Sequence, residues 1–413
     1  VRTPHDAPPV SAAPPARLGA REHATLRAVC ARVISEADAA RACAVVESRL
    51  AAEPAVLRDI VLGLRVLDHP AAGLLFHGRP KRFAALAPAE QEARLRRWAS
   101  SRLAMRRTIV EALRRIILST WYAQPDVAES IGHRGPLHRR SPLFAWEGAA
   151  PGEPRADEPI ARGPREPPAR APLPSGVTEG HALGPATKLR AEVCIVGSGA
   201  GGAVVAARLA EAGRAVVVLE EGGYITPDRF TEDEAEMIPR LYADGGLRAT
   251  SDLGVSLLQG RCVGGGTTVN WLIMLRPPLR VMQEWADAYG AELLGPAALV
   301  PALERIEAEV RARLVPDDAH SPANRIILDG AARLGWRAEP ARINADACVR
   351  AGTCGLGCRY RAKQSALESW LPRALRAGAR VFSDVRVERL RRLRAAAAPA
   401  TRVEAVVLDR DTR

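Results

Sequence analysis

Val193-Cys-Ile-Val-Gly-Ser-Gly-Ala-Gly-Gly202 joins a short, unbroken apolar run to a turn rich in glycine. The run Val193 to Val196 predicts a strand buried on both faces, and a helix is expected from about Ala203 to Ala212, ended by Gly213. The glycine spacing has a physical reading. Gly197 permits the tight turn, Gly199 lets the backbone approach a pyrophosphate, and Gly202 allows the helix to pack close to the strand. Ser198, Ala200 and Gly201 complete the candidate phosphate-binding turn, which faces the positive end of the helix. Ala215 to Leu219 then predict a second buried strand, and Glu220 stands at its end, where an acid accepts hydrogen bonds from a ribose diol. Strand, loop, helix, strand and terminal acid in that order indicate dinucleotide binding, without separating FAD from NAD.

A second glycine cluster, Gln259-Gly-Arg-Cys-Val-Gly-Gly-Gly-Thr-Thr-Val-Asn270, leaves backbone amides open to a flat or anionic ligand, although alone it could be a flexible loop. Gly260, Arg261, Gly264, Gly265, Thr267 and Asn270 match a Gly-Arg/Lys-x-x-Gly-Gly-x-Ser/Thr-x-x-Asn pattern, and here the chain resembles the glucose-methanol-choline flavoprotein family. The resemblance implies FAD, with Arg261, Gly265, Gly266, Thr268 and Asn270 beside the pyrophosphate and isoalloxazine. Some members of that family attach FAD through a histidine just before the asparagine. Val269 stands there, so non-covalent FAD is expected. Further likeness runs through Arg276-Pro-Pro278, Leu334-Gly-Trp336 and Cys354-Gly-Leu-Gly-Cys-Arg-Tyr-Arg-Ala-Lys-Gln-Ser365, and is most similar to the long-chain alcohol oxidases of the family. In Val381-Phe-Ser-Asp-Val-Arg-Val387 the resemblance implies one strand whose last residue, Val387, lies against the adenine.

Outward from this centre, the expected fold is α/β: a Rossmann-type FAD-binding domain with the start of a substrate domain, preceded by a helical N-terminal domain. The helical domain spans 20–132, a linker rich in Pro, Arg and Gly spans 133–187, and the first part of the FAD-binding domain spans 188–290. The substrate domain begins over 291–370, and the chain returns to the FAD-binding domain over 371–413. In the helical block Leu26, Val29, Cys30 and Val33 form one stripe, and Leu57, Val61, Leu64 and Leu67 another. One long helix is expected from Pro88 to about Tyr122, with Leu95, Trp98, Met105, Ile109, Leu113 and Ile116 on its apolar face and Pro125 closing it.

The formal charge of +12 comes from arginines scattered along the chain, with lysine only at Lys81, Lys188 and Lys363 and aromatics at 4%. A nucleic-acid surface would concentrate charge and interleave aromatics, so that partner class is set aside. No apolar run approaches a membrane span and the N-terminus lacks a signal-peptide core, so the expected address is cytoplasmic, with a position peripheral to a membrane as the alternative. Seven cysteines do not suggest a disulfide framework. Cys348, Cys354 and Cys358 invite a metal reading, but structural zinc takes four ligands and no fourth lies near in sequence. A loop shaped by small buried side chains, or a disulfide under oxidising conditions, is expected instead, and no metal. His23, His69 and His77 show no metal-ligand spacing, and His320 reads as an exposed turn.

Alcohol oxidation needs a base for the hydroxyl proton. No histidine here is well placed, so the catalytic residues are unknown; the resemblance implies that they come from a segment beyond Arg413. The expected function is hydride transfer from an alcohol to FAD, with oxygen or another electron acceptor reoxidising it. A sterol oxidase of the same family, and a non-catalytic flavin-binding or interaction subunit, are the alternatives.

Overall fold

The computed structural model describes residues 17–51, 54–71, 80–133, 172–184, 187–250, 255–393 and 400–408. The chain divides into two compact units, one of residues 1–133, 243–258 and 410–413, the other of residues 134–242 and 259–409.

The first unit is helical: α1 (Ala20–Val33), α2 (Ala39–Ala51), α3 (Pro54–Asp68), α4 (Pro88–Ala99), α5 (Ala104–Tyr122) and α6 (Pro125–Ser130). Leu26, Val29 and Cys30 of the first expected stripe are buried, as are Leu57, Val61, Leu64 and Leu67 of the second. They enclose one core with Trp98, Leu113, Ile116 and Ile117. The single helix expected over 88–122 is instead two, interrupted at residues 100–103. Ser100 and Ser101 explain the break, because the Ser100 hydroxyl donates to the Arg96 carbonyl and the Ser101 hydroxyl accepts from the Leu103 amide. Such short polar side chains compete with the helix for its own backbone groups. The restart changes the phase, and Met105 is left exposed. Pro125 does not close a helix; it opens α6, at a position where its missing amide costs nothing.

The second unit is built on a parallel sheet of four strands in the order β1 (Val177–Glu179), β6 (Arg380–Ser383), β3 (Val216–Leu219) and β2 (Val193–Val196). One face is covered by α7 (Ala200–Glu211), whose Ala203, Ala206, Ala207 and Ala210 allow close approach of α13 (Trp370–Arg376). The other face carries a hairpin of β7 (Val385–Leu393) and β8 (Ala400–Val407), with Val217, Leu219, Phe382 and Val385 between the layers. Along β3 the residues therefore alternate between two cores, and all four are buried. Between these parts lie α8 (Glu234–Leu241), α9 (Gly266–Val269), α10 (Leu279–Tyr289), α11 (Pro296–Glu309), the short pair β4 (Arg313–Leu314) and β5 (Arg342–Ile343), and α12 (Pro322–Arg333). Glu309 of α11 ties three helices together, accepting from Arg208 of α7 and from Trp370 and Arg373 of α13. No helix of the described residues is long and apolar enough to cross a membrane.

Three expectations about this unit are corrected. The run Val193–Val196 is a strand, but not buried on both faces: Cys194 and Val196 are exposed, because they lie on the face where the hairpin layer takes in Val217 and Leu219 of β3 but no residue of β2. The run Val381 to Val387 is not one strand. Asp384 takes a left-handed conformation (φ 61°) and turns the chain out of the sheet into the hairpin. Most of the expected linker, 134–171 and 185–186, lies outside the described residues. Its remainder contains β1, which pairs with β6 through Val177 and Val381 and buries Glu179. A three-residue strand is too short to show a period in sequence.

Candidate functional site

The turn after β2 is built as its spacing suggests. Gly197 has φ of 89°, and a side chain on Gly202 would place its Cβ 2.0 Å from the Gly197 carbonyl oxygen, so only glycine fits at the helix entrance. Gly199 is the N-cap of α7, which has no side-chain cap. The amides of Ala200, Gly201 and Gly202 therefore begin the helix without intrahelical acceptors. Ala200 and Gly201 are exposed, and a Cβ at Gly197 or Gly201 would meet nothing within 4 Å. Open space in front of unsatisfied amides at a helix start suits a pyrophosphate.

The second glycine cluster packs directly against the first. A Cβ on Gly265, itself at φ of 54°, would lie 2.9 Å from the Gly199 Cα. Gly260 is held as closely against the backbone of Gly265 and Gly266, and Gly222 against that of Arg261 and Cys262. Gly266 faces open space, as Gly201 does. The two segments, far apart in sequence, thus form one backbone surface.

Glu220 is the tie behind that surface. It is buried, and its Oε2 accepts from the Ser198 amide (2.8 Å) and hydroxyl (2.7 Å), while its Oε1 accepts from the Gly222 amide (2.7 Å). The Ser198 hydroxyl also accepts from the Gly264 amide at 3.0 Å. A carboxylate offers about four acceptor sites. Three are used internally, which leaves room for one further donor, such as a ribose hydroxyl.

The other candidates are placed less uniformly. Thr268 is buried and its hydroxyl donates to the Val263 carbonyl, so it supports the cluster from behind. Thr267 also faces inward, donating to Gly264 and accepting from the Ala366 amide. Asn270 is exposed at the end of α9, with its Oδ1 accepting from the Leu272 amide. Arg261 is half-buried, with its amide bonded to the Leu241 carbonyl. Val387 packs beside Leu219 and Phe382 on the hairpin side of the sheet. His320 is not an exposed turn. Both its ring nitrogens are shielded, with no hydrogen-bond partner among the described residues.

One group at this site was missed in sequence. Lys363 is buried, donating from Nζ to the Asn270 carbonyl (2.9 Å) and the Cys354 carbonyl (2.7 Å). Burial pulls its pKa down to about 8, against the opposing influence of nearby thiols. The signal available was its rarity, since an arginine-rich chain that retains a lysine has a reason to need a compact ammonium. Lys363 lines a small cavity with Cys348, Cys354 and Cys358, all half-buried free thiols.

Comparison with known proteins places these features. Residues 195–254 match the family model of the NAD(P)-binding Rossmann-like domain, and residues 238–411 that of the GMC oxidoreductase. The chain is similar to the long-chain-alcohol oxidase FAO4B of Arabidopsis thaliana, 36% identical over 49% of this chain and 27% of that protein. An uncharacterized GMC-type oxidoreductase of Mycobacterium tuberculosis is 41% identical over 53% of this chain and 36% of its own length. One from Sinorhizobium fredii is 34% identical over 51% and 42% respectively. The chain thus spans less than half the length of these relatives. Over residues 238–411 it is similar to the GMC oxidoreductase family.

Proposed function

We propose that this chain binds FAD non-covalently and forms part of an oxidoreductase acting on CH–OH groups, with an alcohol as hydride donor. The observation that carries the reading is the backbone contact between Gly199 and Gly265, which unites a dinucleotide turn with the family's second glycine segment. The amides of Gly199 to Gly202 would hold the pyrophosphate, Glu220 a ribose hydroxyl, and Gly265, Gly266 and Asn270 the flavin side. Bound FAD would supply a hydride acceptor. Val269 is apolar and buried, which supports non-covalent attachment. Trp271, Ile273 and Leu275 are exposed just after Asn270 and favour an alcohol with a long apolar chain. Residues 291–370 are read as the start of the substrate domain, and β6 marks the return to the cofactor domain. No catalytic base is assigned among the described residues.

The test is purification with FAD, followed by absorbance, acid precipitation and turnover of alcohols of graded chain length. Flavin released into the acid supernatant, together with alcohol-dependent bleaching, is expected. Bound flavin that no alcohol reduces would favour the non-catalytic subunit. Failure to bind FAD in a folded chain overturns the reading.

A further inference from the structure

We propose that His23, Cys43 and Glu47 form a binding site for one divalent transition-metal ion, of which zinc is the natural occupant, between α1 and α2. The ligand atoms of these three side chains lie within 4.8 Å of one another. Nδ1 of His23 is 2.8 Å from Oε1 of Glu47 and 3.9 Å from Sγ of Cys43. In a tetrahedral zinc site the bond lengths put such atoms about 3.3–3.8 Å apart, so shifts of about half an ångström convert the cluster into three ligands. The architecture favours it. Cys43 and Glu47 are four residues apart and project from one face of α2, and His23 comes from the helix packed against it. Spacing along the chain hides this set because the imidazole belongs to a different helix.

Access and charge also fit. Cys43 is fully buried, whereas His23 and Glu47 are partly exposed, which leaves a solvent path and a fourth position for water. On binding, the thiol proton passes to solvent, and thiolate plus carboxylate balance the two charges of the ion. The His23 to Glu47 hydrogen bond is exchanged for two metal bonds.

The full chain, stripped with chelator, would be titrated with Zn²⁺ or Co²⁺ alone. One equivalent should bind and raise the thermal midpoint, and Co²⁺ should give a thiolate charge-transfer band. Cys43→Ser should abolish the band. His23→Ala and Glu47→Gln, at more exposed positions, should weaken binding at least tenfold while far-ultraviolet circular dichroism stays unchanged. Absence of stoichiometric binding overturns the proposal. So does a band that survives in Cys43→Ser and disappears in Cys354→Ser, which would place the ion in the other thiol cluster.

Discussion

The Cα of Gly199 and the Cα of Gly265 face each other so closely that a single added methyl on Gly265 would lie 2.9 Å from its partner. Gly265 also has φ of 54° and ψ of −141°, which side chains resist. Gly265→Ala should therefore separate the two glycine segments. Flavin affinity is expected to fall at least tenfold, with about 1–3 kcal/mol lost from stability. Flavin fluorescence titration and urea unfolding read the two effects, and unchanged flavin affinity would detach this contact from cofactor binding.

Gly201→Ala separates ligand binding from folding. Gly201 lies inside α7 with open space where a Cβ would stand, so alanine should stabilise the free protein by about 0.5–1 kcal/mol. The same methyl would occupy the space proposed for the pyrophosphate. A higher melting temperature without ligand, combined with weaker FAD binding, is the expected pair of results. A stabilised variant with full affinity would show that the phosphates lie elsewhere.

Ser198→Ala removes a hydroxyl that donates to Glu220 and accepts from the Gly264 amide inside the protein. Leaving those groups short of partners should cost about 1–3 kcal/mol. Ser198→Thr should retain most of the loss-sensitive bonds, and denaturant midpoints compare the two.

Lys363 gives a pH signature. Its folded pKa of about 8 lies below the usual 10.5, so between those values the folded chain has released a proton that the unfolded chain still holds. Stability then rises with pH across that window, by about 3 kcal/mol at most, and is insensitive to this group below pH 8. In Lys363→Met that contribution to the slope should vanish. Urea midpoints measured from pH 7.5 to 10.5 in both proteins test it, and equal slopes would count against a lysine of lowered pKa.

Arg94 is buried in the helical unit, and its three guanidinium nitrogens have no hydrogen-bond partner among the described residues. Burial lowers its pKa. A buried charge without a hydrogen-bonded partner is costly, and the attraction of Asp68 and Glu90 offsets that cost only in part. Arg94→Met is expected to raise unfolding stability by about 1–3 kcal/mol, and a comparable loss would reveal a partner for the guanidinium.

How much of this was legible beforehand follows from the range of each interaction. Gly197 and Gly202 were legible because their geometry is local, a positive φ and a close approach fixed by the turn they make. The stripes of α1 and α3 were readable for the same reason. Exposure of Cys194 and Val196 was not, because burial of a strand depends on which layer covers each of its faces. The inward turn of Thr268 depends on a carbonyl five residues back, and the Lys363 clamp on Asn270 crosses 93 residues. The break at Ser100 was visible in principle, but helical periodicity on both sides outweighed two serines.

The position of β6 has a consequence for biosynthesis. It sits between β1 and β3, so strands around residues 177 and 217 meet only through a segment at 380–383. As the polypeptide leaves the ribosome, more than 160 residues must emerge after β3 before its second edge is covered. Non-local pairing of this kind folds slowly. The helices of residues 20–130 pack largely on one another and can consolidate early, whereas the dinucleotide sheet must wait for its central strand. During that interval the exposed edge of β3 is where a chaperone would be needed most.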